Sequence, residues 1–179
     1  KVVFFESPSN PMLDLVDISA VADMAHSAGA KVIIDNVFAT PIAQKPLDLG
    51  ADIVIYSATK HIDGQGRVLG GAVLADENFI KERMLKFYRQ TGPSISPFNA
   101  WVLMKSLETI GLRVERQAQT AATLAAWLEA QPGIAEVRYP GLPSHPQYDL
   151  AQRQMSNGGT LLTVTLAGGR TSAFATLNA

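Results

Sequence analysis

Short apolar runs alternate with amphipathic stretches through the first half of the chain. Runs of this kind predict β-strands at 2–5, 32–35, 53–56 and 71–74. Between the first two, the periodicity of 18–28 predicts a helix that begins after Asp17 and ends at Gly29. Unbroken apolar runs are typical of strands that are covered on both faces. The strand–helix–strand order predicts an α/β fold with a largely parallel sheet flanked by helices.

The second half of the chain is mainly helical and then changes pattern. Helical periodicity runs from 77 to 129, and we expect Trp101 and Trp127 to lie in the core. A Gln-Pro-Gly breaker ends it, and a mixed pattern comes next, with a strand at 135–139, a helix at 148–155 and a strand at 160–166. We therefore predict a large domain over 1–132 and the start of a smaller α+β domain over 133–179.

Composition narrows the class of protein. The chain has 179 residues, of which 47% are hydrophobic, which suffices for one core and the start of a second. A net charge of −1 with mixed signs argues against binding to nucleic acid or to an acidic membrane surface. The absence of cysteine excludes disulfides and thiolate metal sites, and three scattered histidines give no metal-ligand spacing. No apolar run is long enough to span a bilayer, so we expect a cytoplasmic protein without a metal.

Both ends of the sequence fall inside predicted elements. The chain opens at Lys1 within a strand pattern, without an initiator methionine. It stops within the helical pattern 173–177, without a helix-ending glycine. This indicates a part of a longer protein.

Candidate chemistry collects where the predicted strands end. Asp35 ends the second strand, and Ser57, Thr59 and Lys60 come after the third, at the edge where α/β sheets bind ligands. A lysine stripped of water at the end of a buried strand has a lowered pKa and a nucleophilic amine. The hydroxyl pair can hold a phosphate, and the carboxylate can keep a ring nitrogen protonated. These are the parts needed to bind pyridoxal 5′-phosphate (PLP) as a Schiff base and to use it as an electron sink.

The same residues allow other interpretations. Asp35 can be a turn residue, and Lys60 a solvated loop lysine. Tyr56 and Lys60 also have the Tyr-x-x-x-Lys spacing of short-chain dehydrogenases. That class needs both on one helix and a serine upstream, where this chain has Ala43 and Gln44, and no glycine-rich dinucleotide fingerprint is present. We therefore regard the dehydrogenase interpretation as a weak alternative.

Three motifs stand in a specific order and spacing. They are Glu6-Ser7-Pro8-Ser9-Asn10-Pro11, Asp35-Asn36 and Ser57-Ala58-Thr59-Lys60-His61. Together they resemble the PLP-dependent cystathionine γ-synthase family, the Cys/Met-metabolism group of fold-type I enzymes. The resemblance covers essentially the whole chain. The stretches 63–71 and 91–101 look most like the O-succinylhomoserine sulfhydrylase branch of that family.

The resemblance implies a role for each matching residue. Lys60 would form the Schiff base with PLP and move protons, and Asp35 would pair with the pyridinium nitrogen. Ser57 and Thr59 would hold the phosphate, and Asn10 would hydrogen-bond the 3-oxygen of the ring. The family's remaining site residues, including a Tyr/Arg pair from a neighbouring subunit, would lie outside the sequence.

The resemblance also implies an activity and an assembly. The reaction would be γ-replacement on an O-acylated homoserine, with O-succinylhomoserine and sulfide giving homocysteine and succinate in methionine biosynthesis by trans-sulfuration. The assembly would be a homotetramer with sites shared across a dimer. Cystathionine γ-synthase and methionine γ-lyase activities are alternatives within the family, and an inactive fragment is an alternative outside it.

Arg67 is a further candidate, for the acyl group of the substrate. It lies in a loop seven residues after Lys60, where Gly64 and Gly66 permit tight turns. A guanidinium there could hold the distal carboxylate of a succinyl ester. The alternative is a solvated or inter-subunit arginine.

Overall fold

The computed structural model describes all residues from 1 to 179, arranged as two sheets and a set of helices. The strands are β1 (Val2–Glu6), β2 (Lys31–Asp35), β3 (Ile53–Ser57), β4 (Gly71–Ala75), β5 (Ile134–Arg138) and β6 (Thr163–Leu166). The helices are α1 (Ile18–Ser27), α2 (Thr40–Ala43), α3 (Glu77–Phe79), α4 (Leu85–Thr91), α5 (Pro97–Leu107), α6 (Ile110–Glu129), α7 (Tyr148–Gln154) and α8 (Gly169–Leu177). Turns of 3₁₀- or π-helix cover Pro46–Leu49, Ala58–Ile62 and Ile80–Met84.

The first sheet has the strand order β1-β2-β3-β4. The first three strands are parallel, and β4 pairs with β3 in the antiparallel direction. Each strand predicted in this half is present to within one residue at its ends. The predicted α/β class with a largely parallel sheet is thus confirmed.

One face of this sheet carries the main core. Alternate strand residues such as Val32, Ile34 and Val54 are buried against Ile18 and Ala22 of α1. The helix begins as predicted, because Asp17 Oδ1 accepts a hydrogen bond from Ala20 N–H at 3.0 Å. It also ends as predicted, before Gly29 with a φ of +66°.

The opposite face of the sheet is open in this chain. Val2 and Phe4 of β1 are each 60% exposed, and Val73 of β4 is 42% exposed. The expectation that the strands are covered on both faces is therefore wrong for the residues present. An apolar run in the sequence does not show whether the residues on each face of a strand are buried or exposed within this chain.

A second, antiparallel sheet is formed by β5 and β6. Ala121 and Ala125 of α6 pack against Val137, Tyr139 and Leu142 beside it. This small core therefore includes side chains from before and after the Gln-Pro-Gly breaker. The domain division at 132 stays a prediction.

Half-buried glutamines on and beside α7 connect the late part of the chain to the early part. Gln147 Oε1 accepts from Leu15 N–H at 2.7 Å, and Gln154 Nε2 donates to Val16 O at 3.1 Å. Gln154 Nε2 also lies 3.1 Å from Oε1 of the fully buried Gln44. Amides can do this because each carries both donors and an acceptor.

The expectation that both tryptophans lie in the core is wrong. Trp101 on α5 is 51% exposed, and Trp127 on α6 is 57% exposed. The sides of α5 and α6 that pack inward carry small residues instead, such as Ser106 and Ala118. A large aromatic side chain on a helix can be predicted to be buried only if the face of the helix that packs inward is also known.

Asp52 holds the amino-terminal end of β2 to the loop before β3. Its carboxylate accepts hydrogen bonds from Lys31 Nζ and Val32 N–H, each at 2.8 Å, and lies 2.8 Å from His26 Nε2. Burial raises the pKa of this carboxyl, but the hydrogen bonds from Lys31, Val32 and His26 outweigh burial and lower the pKa to about 2.

Asp52→Asn should therefore weaken the fold in a pH-dependent way. A carboxylate whose folded pKa is depressed stabilises above its unfolded pKa, near 4, and loses that effect as pH falls towards 2. We expect the variant to be less stable than the parent by about 2 kcal/mol at pH 6 and by about half as much at pH 3. Urea unfolding of the full-length protein at both pH values measures this. Asp23→Asn, on the exposed side of α1, is the control; an equal effect of both variants would contradict the assignment.

Candidate active site

Three parallel strands end in polar residues at one edge of the first sheet. Glu6 ends β1 opposite Asp35, which ends β2, and Asp35 in turn pairs with Ile55 of β3. Ser57 lies two residues beyond Ile55, about 7 Å further along the strand. Because side chains alternate along a strand, Asp35 and Ser57 point to the same face, which is the open one.

The Asp35 carboxylate is half-buried and has hydrogen-bonding capacity left. Its Oδ1 accepts from Val37 N–H at 3.1 Å, and no protein group bonds its other oxygen. The next residue, Asn36, is fully buried and donates an N–H to Ile55 O at 3.1 Å. This extends the strand pairing past Asp35 and fixes the backbone on which its carboxylate stands.

The Asn36 side chain is the centre of a buried polar network. Its Nδ2 donates to Tyr56 Oη at 2.9 Å and to Gln44 O at 3.0 Å, and its Oδ1 accepts from Gln44 Nε2 at 2.8 Å. Gln44 Nε2 also donates to Ser7 O at 2.9 Å, so the network reaches the turn after β1. A fully satisfied buried network of this kind has one arrangement and holds the three strand ends in register.

Tyr56 lies on the wrong face for the dehydrogenase interpretation. It is part of β3 and buried in the main core, whereas Lys60 is exposed beyond the end of the strand. Burial raises the pKa of the Tyr56 phenol, an effect that the hydrogen bond from Asn36 only opposes. The Tyr-x-x-x-Lys match is therefore a chance match in sequence, without the arrangement that a dehydrogenase needs.

Ser57 and Thr59 are not equivalent. Ser57 is half-buried, and its hydroxyl has no hydrogen-bond partner in the protein. The Thr59 hydroxyl accepts from Gly70 N–H at 3.0 Å and lies 3.3 Å from Gly70 O, to which it donates. Thr59 thus joins the segment after β3 to the residue before β4. The Thr59 hydroxyl must therefore stop donating to Gly70 O before it can donate to a phosphate.

Lys60 stands in the short π-helical turn Ala58–Ile62. Its side chain is exposed and makes no hydrogen bond or ion pair. The expectation that this lysine is stripped of water is wrong for the chain described, because the open face of the sheet gives it no cover. Its backbone has φ −83° and ψ −118°, outside the helical range of its neighbours.

His61 connects the lysine turn with the later part of the chain. Its Nε2 lies 2.7 Å from the Thr160 hydroxyl, while Nδ1 is buried without a hydrogen-bond partner. Burial lowers the pKa of His61; the Val37 backbone opposes this effect, and the positive charges of Arg113 and Lys60 add to it, so the pKa remains below its ordinary value. His61 is therefore a neutral contact at neutral pH rather than a cation.

Asn10 lies in the turn after β1, four residues beyond Glu6. Its side chain is exposed, and its backbone N–H donates to Glu6 Oε2 at 2.9 Å. Glu6 is a residue whose part the sequence pattern did not reveal: it shapes the turn that presents Asn10. Asn10 is thus at the same edge of the sheet as Asp35 and Ser57.

Arg67 is occupied by contacts within the chain. Its N–H and Nε donate to the two carboxylate oxygens of the fully buried Asp63, at 2.6 and 3.0 Å. Its Nη2 donates to Ser106 Oγ at 2.6 Å. Burial raises the pKa of Asp63, but the contacts with Arg67 outweigh it and lower that pKa. This geometry favours a structural arginine over one that holds a substrate.

A family model described as "Cys/Met metabolism PLP-dependent enzyme" matches residues 1–179. The chain belongs to this family. The match confirms the family predicted from the three motifs and the cofactor, PLP, that the motifs implied.

Curated relatives of this family include several activities. O-succinylhomoserine sulfhydrylase from Mycobacterium tuberculosis is 59% identical over 93% of this chain, and that from Pseudomonas aeruginosa is 51% identical over all of it. L-methionine gamma-lyase from Porphyromonas gingivalis is 43% identical over 94% of the chain. The chain spans 41%, 44% and 43% of the length of these three relatives, respectively.

Solved structures agree with the fold. The metB protein of Corynebacterium glutamicum superposes with a TM-score of 0.94 at 37% identity, over 97% of this chain and 45% of that one. A cystathione gamma lyase (CalE6) from Micromonospora echinospora gives 0.91 at 38% identity, over 96% and 45%. The predicted fold-type I architecture is confirmed. None of the helices is both long and apolar enough to cross a membrane.

The residues at the strand edge fit PLP in number and in chemistry. Lys60 offers an unpaired amine, Asp35 one free carboxylate oxygen, and Ser57 a hydroxyl with no partner. These are unused donors and acceptors at the ends of neighbouring strands, which is what an aldehyde, a ring nitrogen and a phosphate require. Thr59 fits less directly, because Gly70 already takes its proton.

Arg67→Ala should act on stability rather than on the choice of ester. It would leave the buried Asp63 carboxylate without its cation, at a cost of about 2 kcal/mol. In the full-length enzyme we expect equal fractional changes in kcat/KM for O-succinyl- and O-acetylhomoserine, together with a lower unfolding temperature. Arg89→Ala, an exposed arginine on α4 that forms no ion pair, is the control. A loss confined to the succinyl ester would restore the hypothesis that Arg67 holds its carboxylate.

Proposed function

We propose that the full-length protein containing this chain is an O-succinylhomoserine sulfhydrylase. The observation that carries this proposal is the high identity to sulfhydrylases of that name, 59% over 93% of the chain and 51% over all of it. The second alignment includes all the candidate site residues, which are Asn10, Asp35, Ser57, Thr59 and Lys60. In the net reaction the bond from Cγ to the ester oxygen breaks, and the sulfur of HS⁻ forms a new bond to Cγ. Succinate leaves with the bonding electron pair, and homocysteine remains.

We propose a distinct role for each of the clustered residues. Lys60 binds the aldehyde of PLP through Nζ, and Asp35 pairs with the ring nitrogen. Ser57 and Thr59 donate to the phosphate, and Asn10 donates to the 3-oxygen of the ring. PLP, when bound, supplies an electron sink for carbanions at the substrate carbons.

Asp35 has a measurable electrostatic task in this scheme. A carboxylate 4 Å from a cationic ring nitrogen stabilises the charge by about 4 kcal/mol at an effective dielectric of 20. Asp35 is only half-buried here, so in this chain alone water would screen part of that interaction. Full effect therefore depends on cover over the open face of the sheet.

Lys60 has a second task after substrate binds. Once free, its amine can take the proton from Cα, give that proton up to another atom of the substrate–cofactor system, and then take a proton from Cβ, and it stands on a short turn beyond the strand. The exposed side chain makes no contact that would have to be broken first. A free, unpaired amine is suited to repeated proton transfer between neighbouring atoms.

Elimination is the second candidate, because a methionine γ-lyase is 43% identical over most of the chain. Replacement and elimination require the same lysine, carboxylate and hydroxyl groups and differ in whether a nucleophile adds at Cγ after the leaving group departs. The homotetramer with shared sites, sulfide as the sulfur donor and a cytoplasmic location remain predictions from the sequence. An inactive chain is the alternative outside this class.

A substrate comparison tests the proposal. With the full-length protein and PLP, we expect homocysteine and succinate from O-succinylhomoserine and sulfide at a rate that depends on both. Cysteine as nucleophile should be at least 10-fold less effective than sulfide. Preference for cysteine would identify a cystathionine γ-synthase, and rapid 2-oxobutanoate formation from methionine would identify a γ-lyase. The absence of both turnover and a visible PLP absorbance band would indicate an inactive protein.

Lys60→Ala should abolish turnover and the borohydride-reducible link between PLP and the protein, because both need its amine. Absorbance, combined with peptide mapping of the reduced protein, measures the link. Lys45→Ala is the matched control, since Lys45 is also exposed and unpaired in this half of the chain but is not one of the residues that follow β3. A reducible link that persists in the Lys60 variant would assign the chemistry to another lysine.

A further inference from the structure

The direction of the Lys60 side chain is not set by a continuous helix. The chain leaves helical geometry at Lys60 itself, with a ψ of −118°. Its orientation therefore depends on how the residues on either side are held. On the amino-terminal side, Thr59 is bound to Gly70 through backbone and hydroxyl contacts.

On the carboxyl-terminal side, the holding group is Arg113, from the first turn of α6. Its Nη1 donates to His61 O at 2.9 Å, and its Nη2 donates to Ile62 O at 3.2 Å. These are the carbonyls of the two residues directly after Lys60. Carbonyls at the end of a helical turn lack hydrogen-bond donors within that turn. Here one guanidinium donates to both carbonyls.

Two further hydrogen bonds hold the guanidinium itself in place. Nη2 also donates to Ser106 O at 3.0 Å, and Nε donates to Thr109 Oγ1 at 3.2 Å. Arg113 forms no ion pair, so its bonding within the protein is to carbonyl and hydroxyl oxygens. The planar fork of arginine can span two consecutive carbonyls, whereas a lysine ammonium is a single donor centre.

Gly64 leaves the space that this contact requires. A Cβ at Gly64 would overlap Arg113 Nη1, so the guanidinium would have to move. Gly66 provides a comparison: its φ of +67° is close to the +71° of Gly64, but a Cβ there would meet nothing within 4 Å. Both glycines therefore need a left-handed backbone, but only at Gly64 would a Cβ collide with Arg113.

We propose that Arg113 is a positioning residue for the reaction: its guanidinium clamps the carbonyls of His61 and Ile62 and thereby aims the amine of Lys60. The proposal rests on the proposed function for its catalytic consequence, but the clamp itself exists independently of cofactor and substrate. Arg113 acts through the backbone and touches no reacting atom.

The test uses the full-length protein with Arg113→Met and Arg113→Lys. For Arg113→Met we expect kcat to fall about 10- to 100-fold with KM changed less than threefold, because the substrate still binds while the amine is misaligned. Arg113→Lys should lose less, since it can bond one carbonyl. In cofactor-free protein, hydrogen exchange at the amide of Gly64, which donates to Lys60 O at 2.6 Å, should speed up at least 10-fold in Arg113→Met.

Two control variants separate positioning from general damage. Arg116→Met removes an exposed arginine from the same helix, one whose side chain makes no hydrogen bond, and should change neither kcat nor exchange. Gly64→Ala should reproduce the fall in kcat, whereas Gly66→Ala, with equal backbone strain, should not. Thermal unfolding of each variant identifies any that is simply unfolded at the assay temperature.

Unchanged kcat and exchange in a folded Arg113→Met protein would overturn the proposal, as would equal effects of Gly64→Ala and Gly66→Ala. A fall in kcat that matches the loss of folded protein would overturn it as well. If the parent protein lacks the sulfhydrylase activity, the proposed function fails, and exchange at Gly64 in the cofactor-free protein still decides whether Arg113 clamps the turn.

Discussion

Parallel pairing of three strands is the constraint on which the candidate site depends. Hydrogen bonds between β1, β2 and β3 bring residues that are far apart in sequence, Glu6, Asp35 and Ser57, to one edge. Side-chain alternation then places the carboxylate of Asp35 and the hydroxyl of Ser57 on one face without any contact between them. The chemistry is thus assembled by the backbone, and the side chains remain free for a ligand.

The segments beyond the strand ends are held by polar side chains rather than by the sheet. Asn36 fixes the chain after Asp35 through its bonds to Tyr56 and Gln44. Arg113 does the corresponding work after Lys60, with carbonyl oxygens as its partners. Rigid strands and satisfied polar contacts therefore divide the task of placing a carboxylate and an amine, and neither alone would suffice.

The strands and the first helix were predictable because local periodicity and capping determine them, whereas the roles of the residues at the strand ends remain predictions. Contacts over long separations were not. Arg113 is one of many helix arginines until the fold brings it to the turn 52 residues earlier. Thr59 could be identified as a hydroxyl near the site, but its engagement with Gly70 depends on where β4 begins. Trp101 was misplaced because hydrophobicity does not report which side of α5 faces inward.

The glutamine contacts of α7 have a consequence for biosynthesis. Gln147 and Gln154 bond Leu15 and Val16 across 132 and 138 residues of chain. On the ribosome, the first sheet can therefore pair its strands well before its buried amides are complete. Until α7 emerges from the exit tunnel, the buried Gln44 therefore lacks one of its hydrogen-bond partners, and the polar network at the strand ends is incomplete.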